Sequence, residues 1–516
     1  MNRMISLLSL FLTLMANVQA QQKLSIENVY RMSLRNAGPI VTNEEVKGYY
    51  SFFLSDKVNR KTNEYTLQLV DVNLNKLNDI KFQDTRSVTL LESSYNTNSL
   101  IFMFYNNDNN SIDYRMYNME GKQTFTYSKP LDRRSEQFFR QAVSFQNSEE
   151  TENQNLFDIP GKGFITVTPL REGRNYTYDV TFFSSEKRHT WTYNPVEDGR
   201  VAQAQFLGAS DSVAVLEVLT RPRLMSQKTE STLVGINLFN GRKAFEIPTI
   251  QGPQQLYPVN VTVRRGANSF LLMGPYYGAQ DNVVKDKSVG IGVWEMNNQG
   301  RIIRSKYNSW AQDMGKFLSV DRKGRVSDMG YVYFHTLQQT ADGKMFAVGE
   351  GYKKIADGVG IAVNVLAGGH SVGVTKMRIT DMLMLQFDGA FNLVAAEVYD
   401  KNSSNFSLGA VSDLVTPHTM AIAAKAMGAF DYCFTQQNSS HTSFTSAYVD
   451  YERTKDYKGL TFNTLTYADG KISRDKINMK TAATSLAIMP SRSGSVLVLE
   501  YFSKDRRLDM HIEKIN

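Results

Sequence analysis

The 516-residue chain carries 58 Lys and Arg against 51 Asp and Glu, a net charge of +7. That is too mild for the strongly basic stripe of a nucleic-acid-binding surface, and the one cysteine, Cys433, excludes an intrachain disulfide. After residue 20 no stretch reaches the roughly 18 uninterrupted apolar residues of a membrane-crossing helix, so no transmembrane segment is expected.

The chain opens with the pattern of an export signal. Arg3 supplies the charged start, Ile5 to Met15 the apolar stretch, and Val18 and Ala20 the small residues before a cleavage point. Residues 1–20 are predicted to be a cleaved signal peptide, and the periplasm or the cell surface and medium the destination. No shift of composition and no Pro-, Gly- or Ser-rich linker divides the remainder of the chain, so residues 21–516 read as one domain.

From Gln21 onward strands dominate. Glu64–Val72 alternates apolar and polar side chains, as half-buried antiparallel strands do. A unit then recurs about eight times: a small-residue turn, an apolar strand, a variable loop, and a hairpin closed by a polar turn. The apolar strands are expected to start near Gly48, Ser99, Gly163, Ser212, Ser269, Lys344, Ala429 and Ser495. The hairpins turn at such pairs as Glu120-Gly121, Asn240-Gly241, Asp388-Gly389 and Asp469-Gly470, whose backbones enter the left-handed region readily. This pattern predicts an all-β chain, an antiparallel β-propeller of eight four-stranded blades, or seven with an accessory sheet. The last unit offers three strands, and Lys23–Met32 a fourth. Pairing the N- and C-terminal strands would close the ring and remove a sheet edge.

Cys433 lies in an apolar strand and reads as a buried core thiol. Thr340–Gly349 is a structural turn, with Asp342 bonding its own backbone and Gly343 in the left-handed position. Asp108–Asp113 holds clustered oxygens but lacks the Gly and spacing of a calcium loop. No metal, cofactor or catalytic residue is assigned. Ser184–Trp191 and Ser319–Val326 come near a turn found in propeller glycosidases, and each lacks essential members of it.

One set of loops carries more information. In a four-stranded blade, the second-to-third and fourth-to-first connections leave the same face. Basic residues gather there: Arg133 and Arg134, Arg171 and Arg174, Arg221 and Arg223, Lys285 and Lys287, Lys353 and Lys354. Lys57, Arg60 and Lys61 add to them. Together they predict a ring of positive charge that attracts acidic ligands. An apolar, Gly-rich insertion at 353–377, with Val359–Gly369 at its centre and His370 near its tip, is expected to lie over that face as a plug, lid or docking element.

The segment Tyr333–Lys354, with the apolar insertion after it, resembles exported bacterial proteins of a domain-of-unknown-function family. The resemblance spans most of the mature chain and implies no activity. The expected role is a non-catalytic binding or scaffold protein of the bacterial cell envelope. Its partner is expected to be a glycan, an anionic polymer or a protein. The alternative is a propeller glycoside hydrolase or lyase acting on extracellular carbohydrate. Oligomeric state is left open.

Overall fold

The computed structural model describes residues 22–144, 155–173, 175–186, 189–195, 200–223, 226, 228–264, 268–355, 376–407 and 417–515. Residues 1–20, Arg174, His370 and the stretch 356–375 of the insertion lie outside them.

Abundant β-branched and aromatic residues in period-two alternation make most of the described chain antiparallel strand. The strands fall into units along the chain: unit 1 (37–85), unit 2 (88–130), unit 3 (156–193), unit 4 (201–248), unit 5 (250–309), unit 6 (331–407), unit 7 (432–479) and unit 8 (485–514). Units 3 and 4 join into one eight-stranded sheet through a single parallel pair, Tyr176 with Val201. Unit 8 has three strands of its own and takes Lys23–Ile26 as a fourth, pairing Lys23 with His511 and Ile26 with Leu508.

Apolar clusters lie between successive units. Phe52 meets Phe102 across units 1 and 2, ring centroids 4.9 Å apart. Tyr114 meets Phe183 across units 2 and 3, at 4.6 Å. Phe182, Trp191 and Leu216 join units 3 and 4, and Leu233 and Trp294 join units 4 and 5. Ile291 and Leu385 join units 5 and 6. Phe346 meets Tyr467 across units 6 and 7, at 4.4 Å. Phe462 and Val498 join units 7 and 8. Tyr49, Phe53 and Leu497 then bring unit 8 against unit 1. Each fully buried large side chain contributes about 1.5–3 kcal/mol.

Buried polar groups stitch the same seams. Glu92 of unit 2 accepts from the backbone N–H of Asn155 and Leu156, at 3.0 and 2.9 Å, where unit 3 begins. In unit 4, Gly241 takes φ 69°, and its ideal Cβ would stand 2.7 Å from the Trp191 ring of unit 3. Glycine is needed there twice over, for the turn and for the close approach.

Several sequence expectations need correction. Ala429 starts no second strand: Tyr432–Gln437 is the first strand of unit 7, and Phe444–Arg453 the second. Arg133 and Arg134 lie in a helix, α1 (Arg133–Ser144), rather than a loop. Asp132 starts it by accepting the Ser135 N–H at 2.8 Å. A second helix, α2 (Pro417–Ala426), precedes unit 7. The insertion is narrower than 353–377, because Lys353 and Lys354 pair in register with Arg378 and Met377. Cys433 is half-buried, its thiol 3.7 Å from the Asp431 carbonyl.

Candidate functional site

The connections predicted to be basic leave the same ends of their strands, and the structure places them one unit at a time. Arg134 and Arg171 meet around one ring, their guanidiniums 5.1 and 5.3 Å from the centroid of Tyr176. Arg134 is half-buried and donates to the carbonyls of Leu170 and Thr177, at 2.8 and 3.0 Å, so it holds α1 to unit 3. Burial lowers the pKa of its guanidinium. Arg133 and Arg171 are exposed beside it. Arg223, Lys285 and Lys287 are exposed on units 4 and 5, while Arg221 is half-buried at its strand end. Lys353 donates to the Asp328 carbonyl, and Lys354 projects outward from the paired strand. These charges do not converge on a common pocket.

Convergence occurs elsewhere on that face, where unit 8 meets unit 1. A cleft of about 750 Å³ is lined by Arg31, Lys57 and Arg86, with Thr484, Tyr501 and Ser503 among its polar wall. No Asp or Glu lines it. All three cations are exposed, and none forms an ion pair among the described residues.

The local fold explains the gathering. The segment after Lys23–Ile26 is clamped between the first and last units. Tyr30 N–H donates to Leu54 O at 2.8 Å and Val29 N–H to Arg506 O at 2.8 Å. The Tyr501 hydroxyl donates toward the Val29 carbonyl at 3.3 Å. Arg31 is thereby set beside unit 1. The Tyr30 ring carries two cations, Lys57 at 4.8 Å and Arg506 at 3.9 Å from its centroid. Arg86 enters from the connection into unit 2, with its N–H on the Lys61 carbonyl at 3.0 Å. The hydroxyls of Thr484 and Ser503 lie 2.9 Å apart. Burial raises the Tyr501 phenol, with Arg31 and Arg506 opposing. Three cations and adjacent hydroxyls suit an anion with several oxygens.

Arg31 and Arg86 escape sequence reasoning because Arg31 falls within a predicted strand and Arg86 in an ordinary turn. The signal is present all the same: both sit in fourth-to-first connections, on the face where Lys57 is expected.

A second charged group lies below α2. Lys401 Nζ is 3.1 Å from Glu350 Oε1 and 2.5 Å from Asp431 Oδ2, and His335 Nε2 is 3.4 Å from Glu350 Oε2. The side chains of Lys401, Glu350 and His335 are wholly buried. Burial opposes charge on Lys401, but Glu350 and Asp431 outweigh it and raise its pKa. Burial, with Glu350 adding, pushes Asp431 up to about 6. Glu350 also accepts the Tyr432 N–H at 3.2 Å. The group ties unit 6 to unit 7.

Residues 1–516 match the model of a family of unknown function, DUF6770, and the chain belongs to that family. No curated protein matches it. Among solved structures, the WD40 domain of SCAP from fission yeast is similar at 9% identity, over 95% of this chain and 98% of that one, with a TM-score of 0.37. Prolyl oligopeptidase B from Galerina marginata is similar at 8% identity, over 91% of this chain and 56% of that one, with a TM-score of 0.39. Kuenenia stuttgartiensis hydrazine synthase is similar at 9% identity, over 66% of this chain and 74% of that one, with a TM-score of 0.33.

Proposed function

We propose that this chain is an exported, non-catalytic binding protein of the bacterial cell envelope, an eight-bladed β-propeller that takes an anionic glycan in the Arg31–Lys57–Arg86 cleft. The ring is supported by apolar clusters that run from each unit to the next and from unit 8 back to unit 1. The strand Lys23–Ile26 completing unit 8 supports closure. Export is supported by the pattern of residues 1–20.

The observation that carries the binding role is the cleft's one-signed lining: three exposed cations and no carboxylate. Such a field draws in polyanions and holds them through charge-assisted hydrogen bonds. The exposed cations at the start of α1 and at the end of a unit 3 strand, Arg133 and Arg171, would extend the track for a long polymer.

The test uses chain 21–516 and immobilised polygalacturonate, with neutral dextran as control. Retention on polygalacturonate alone, lost in the Arg31→Glu/Arg86→Glu variant with its melting temperature kept, supports the proposal. Equal retention of wild type and variant, or none by wild type, rejects it.

A further inference from the structure

We infer that the cavity between the first strands of the units is a second ligand site, on the face opposite the basic cleft, for the end of an uncharged, hydroxyl-rich glycan chain. This inference is independent of the anionic site.

The cavity measures about 1000 Å³. It is lined by the first strands of units 1, 2 and 3 and by the turns at their ends, with Ser439 and Met489 from units 7 and 8. Those turns leave the strands at the end opposite to the basic connections. A space of this size accommodates a ligand of several sugar rings.

Asp158 is the residue that points to a ligand. Other inward acids of the fold are satisfied by protein. Glu92 is held by backbone N–H groups, Glu350 by Lys401, Glu217 by the Ser231 hydroxyl at 2.8 Å, and Glu295 by Arg264 at 2.6 Å. Asp158 lines the cavity, is exposed to it, and makes no hydrogen bond or ion pair with another residue among the described residues. Protein surrounds it closely enough that the loss of solvent raises its carboxyl. With no protein donor, its oxygens stay open to hydrogen-bond donors of a ligand that enters the cavity.

The rest of the wall says what kind of donor. Arg35, a buried cation, also lines the cavity. The remaining lining acid, Glu44, sits at the mouth with Oε2 3.3 Å from His441 Nε2. The site is therefore close to charge-balanced, unlike the basic cleft. The Tyr50 hydroxyl and Ser93 Oγ stand 3.2 Å apart, and Tyr95 OH meets Asn98 Oδ1 at 3.4 Å. Hydroxyls and amides both donate and accept, as sugar hydroxyls do. The rings of Tyr95 and Phe157 supply apolar surface beside them.

Isothermal titration of chain 21–516 with cellotetraose, xylotetraose, maltotetraose and chitotetraose tests the site. At least one is expected to bind, and Asp158→Asn and Asp158→Ala are expected to weaken it roughly tenfold or more. Arg31→Glu/Arg86→Glu is expected to leave that affinity unchanged, and Asp158→Asn to leave polygalacturonate retention unchanged. No binding of any of the four, or binding that both Asp158 variants preserve at an unaltered melting temperature, overturns the inference. Release of reducing ends by wild type overturns it as well, because the cavity would then be hydrolytic.

Discussion

Glu350 Oε1 stands 3.1 Å from Lys401 Nζ, and neither side chain has exposed surface. The pair joins the second strand of unit 6 to the turn that follows Leu393–Tyr399 in the same unit, and Asp431 completes it from just before unit 7. Buried charge of this kind is tolerable only while every member has its partners.

Lys401→Met should therefore destabilise the fold by about 3–5 kcal/mol, since Glu350 and Asp431 lose their cation. Urea unfolding measures this. Adding Glu350→Gln to Lys401→Met should recover part of the loss, because the two changes share one network. Strictly additive losses would contradict the coupling.

Glu217 makes a separate pH prediction. It is buried on unit 4, and burial pushes its carboxyl up to about 8. A folded pKa above the unfolded value of 4.5 means that the folded state holds the extra proton between those limits. Stability from this group is present at low pH and is lost as pH rises from about 4.5 to about 8. The loss is on the order of 5 kcal/mol. Glu217→Gln should flatten the stability profile across that window and be the more stable form at pH 8. A parallel profile for wild type and variant would refute the assignment.

Binding at the basic cleft should depend on salt. At 1 M ionic strength the screening length is about 3 Å, so polygalacturonate retention should collapse there. Arg31→Ala/Arg86→Ala should reduce both the affinity and its salt slope. Retention that is indifferent to salt would mean that the three cations do not hold the polymer.

The strand Lys23–Ile26 should matter beyond its four residues. Ser25 Oγ donates to Asp509 Oδ1 at 2.7 Å, and Lys23 Nζ is 3.4 Å from Asp509 Oδ2. Burial alone would raise the Asp509 carboxyl, but Ser25, Lys23 and Arg507 outweigh it and lower it. That stability is present above the unfolded carboxylate pKa and is lost as pH falls through the lower folded value. Removing residues up to Ile26 exposes the edge of unit 8, so the truncated chain should melt earlier and self-associate. Calorimetry with light scattering checks both. A monomer with unchanged melting temperature would show that the fourth strand is dispensable.

Much of the strand order was legible in the sequence. Ser99, Gly163, Ser269 and Ser495 begin strands as expected. Asp388-Gly389 and Asp469-Gly470 turn hairpins as expected; both residues of the second pair are left-handed, whereas in the first hairpin Phe391 takes that conformation. Helices α1 and α2 were missed for different reasons. α1 does gather its apolar side chains on one face, with Phe139 among the residues of units 2 and 3, so its signal was present; α2 is largely apolar all round, with Ile422 beside Tyr257, and shows little periodicity. The anchor at Ala429 failed for a related reason: Ala429 and Phe430 pack with α2 and with Tyr352 of unit 6, which mimics the apolar content of a strand.

The sequence by itself determined the all-β class and the repeating strand pattern, since each depends on side chains close together in the chain. Only the tertiary structure decided which charges converge. Arg31, Lys57 and Arg86 are separated by whole strands, and they share a cleft with Ser503 because the last unit packs against the first. Asp158 stands without a partner for the same reason. Its surroundings come from units 1, 2, 3, 7 and 8, and no local pattern records what distant strands place around a carboxylate.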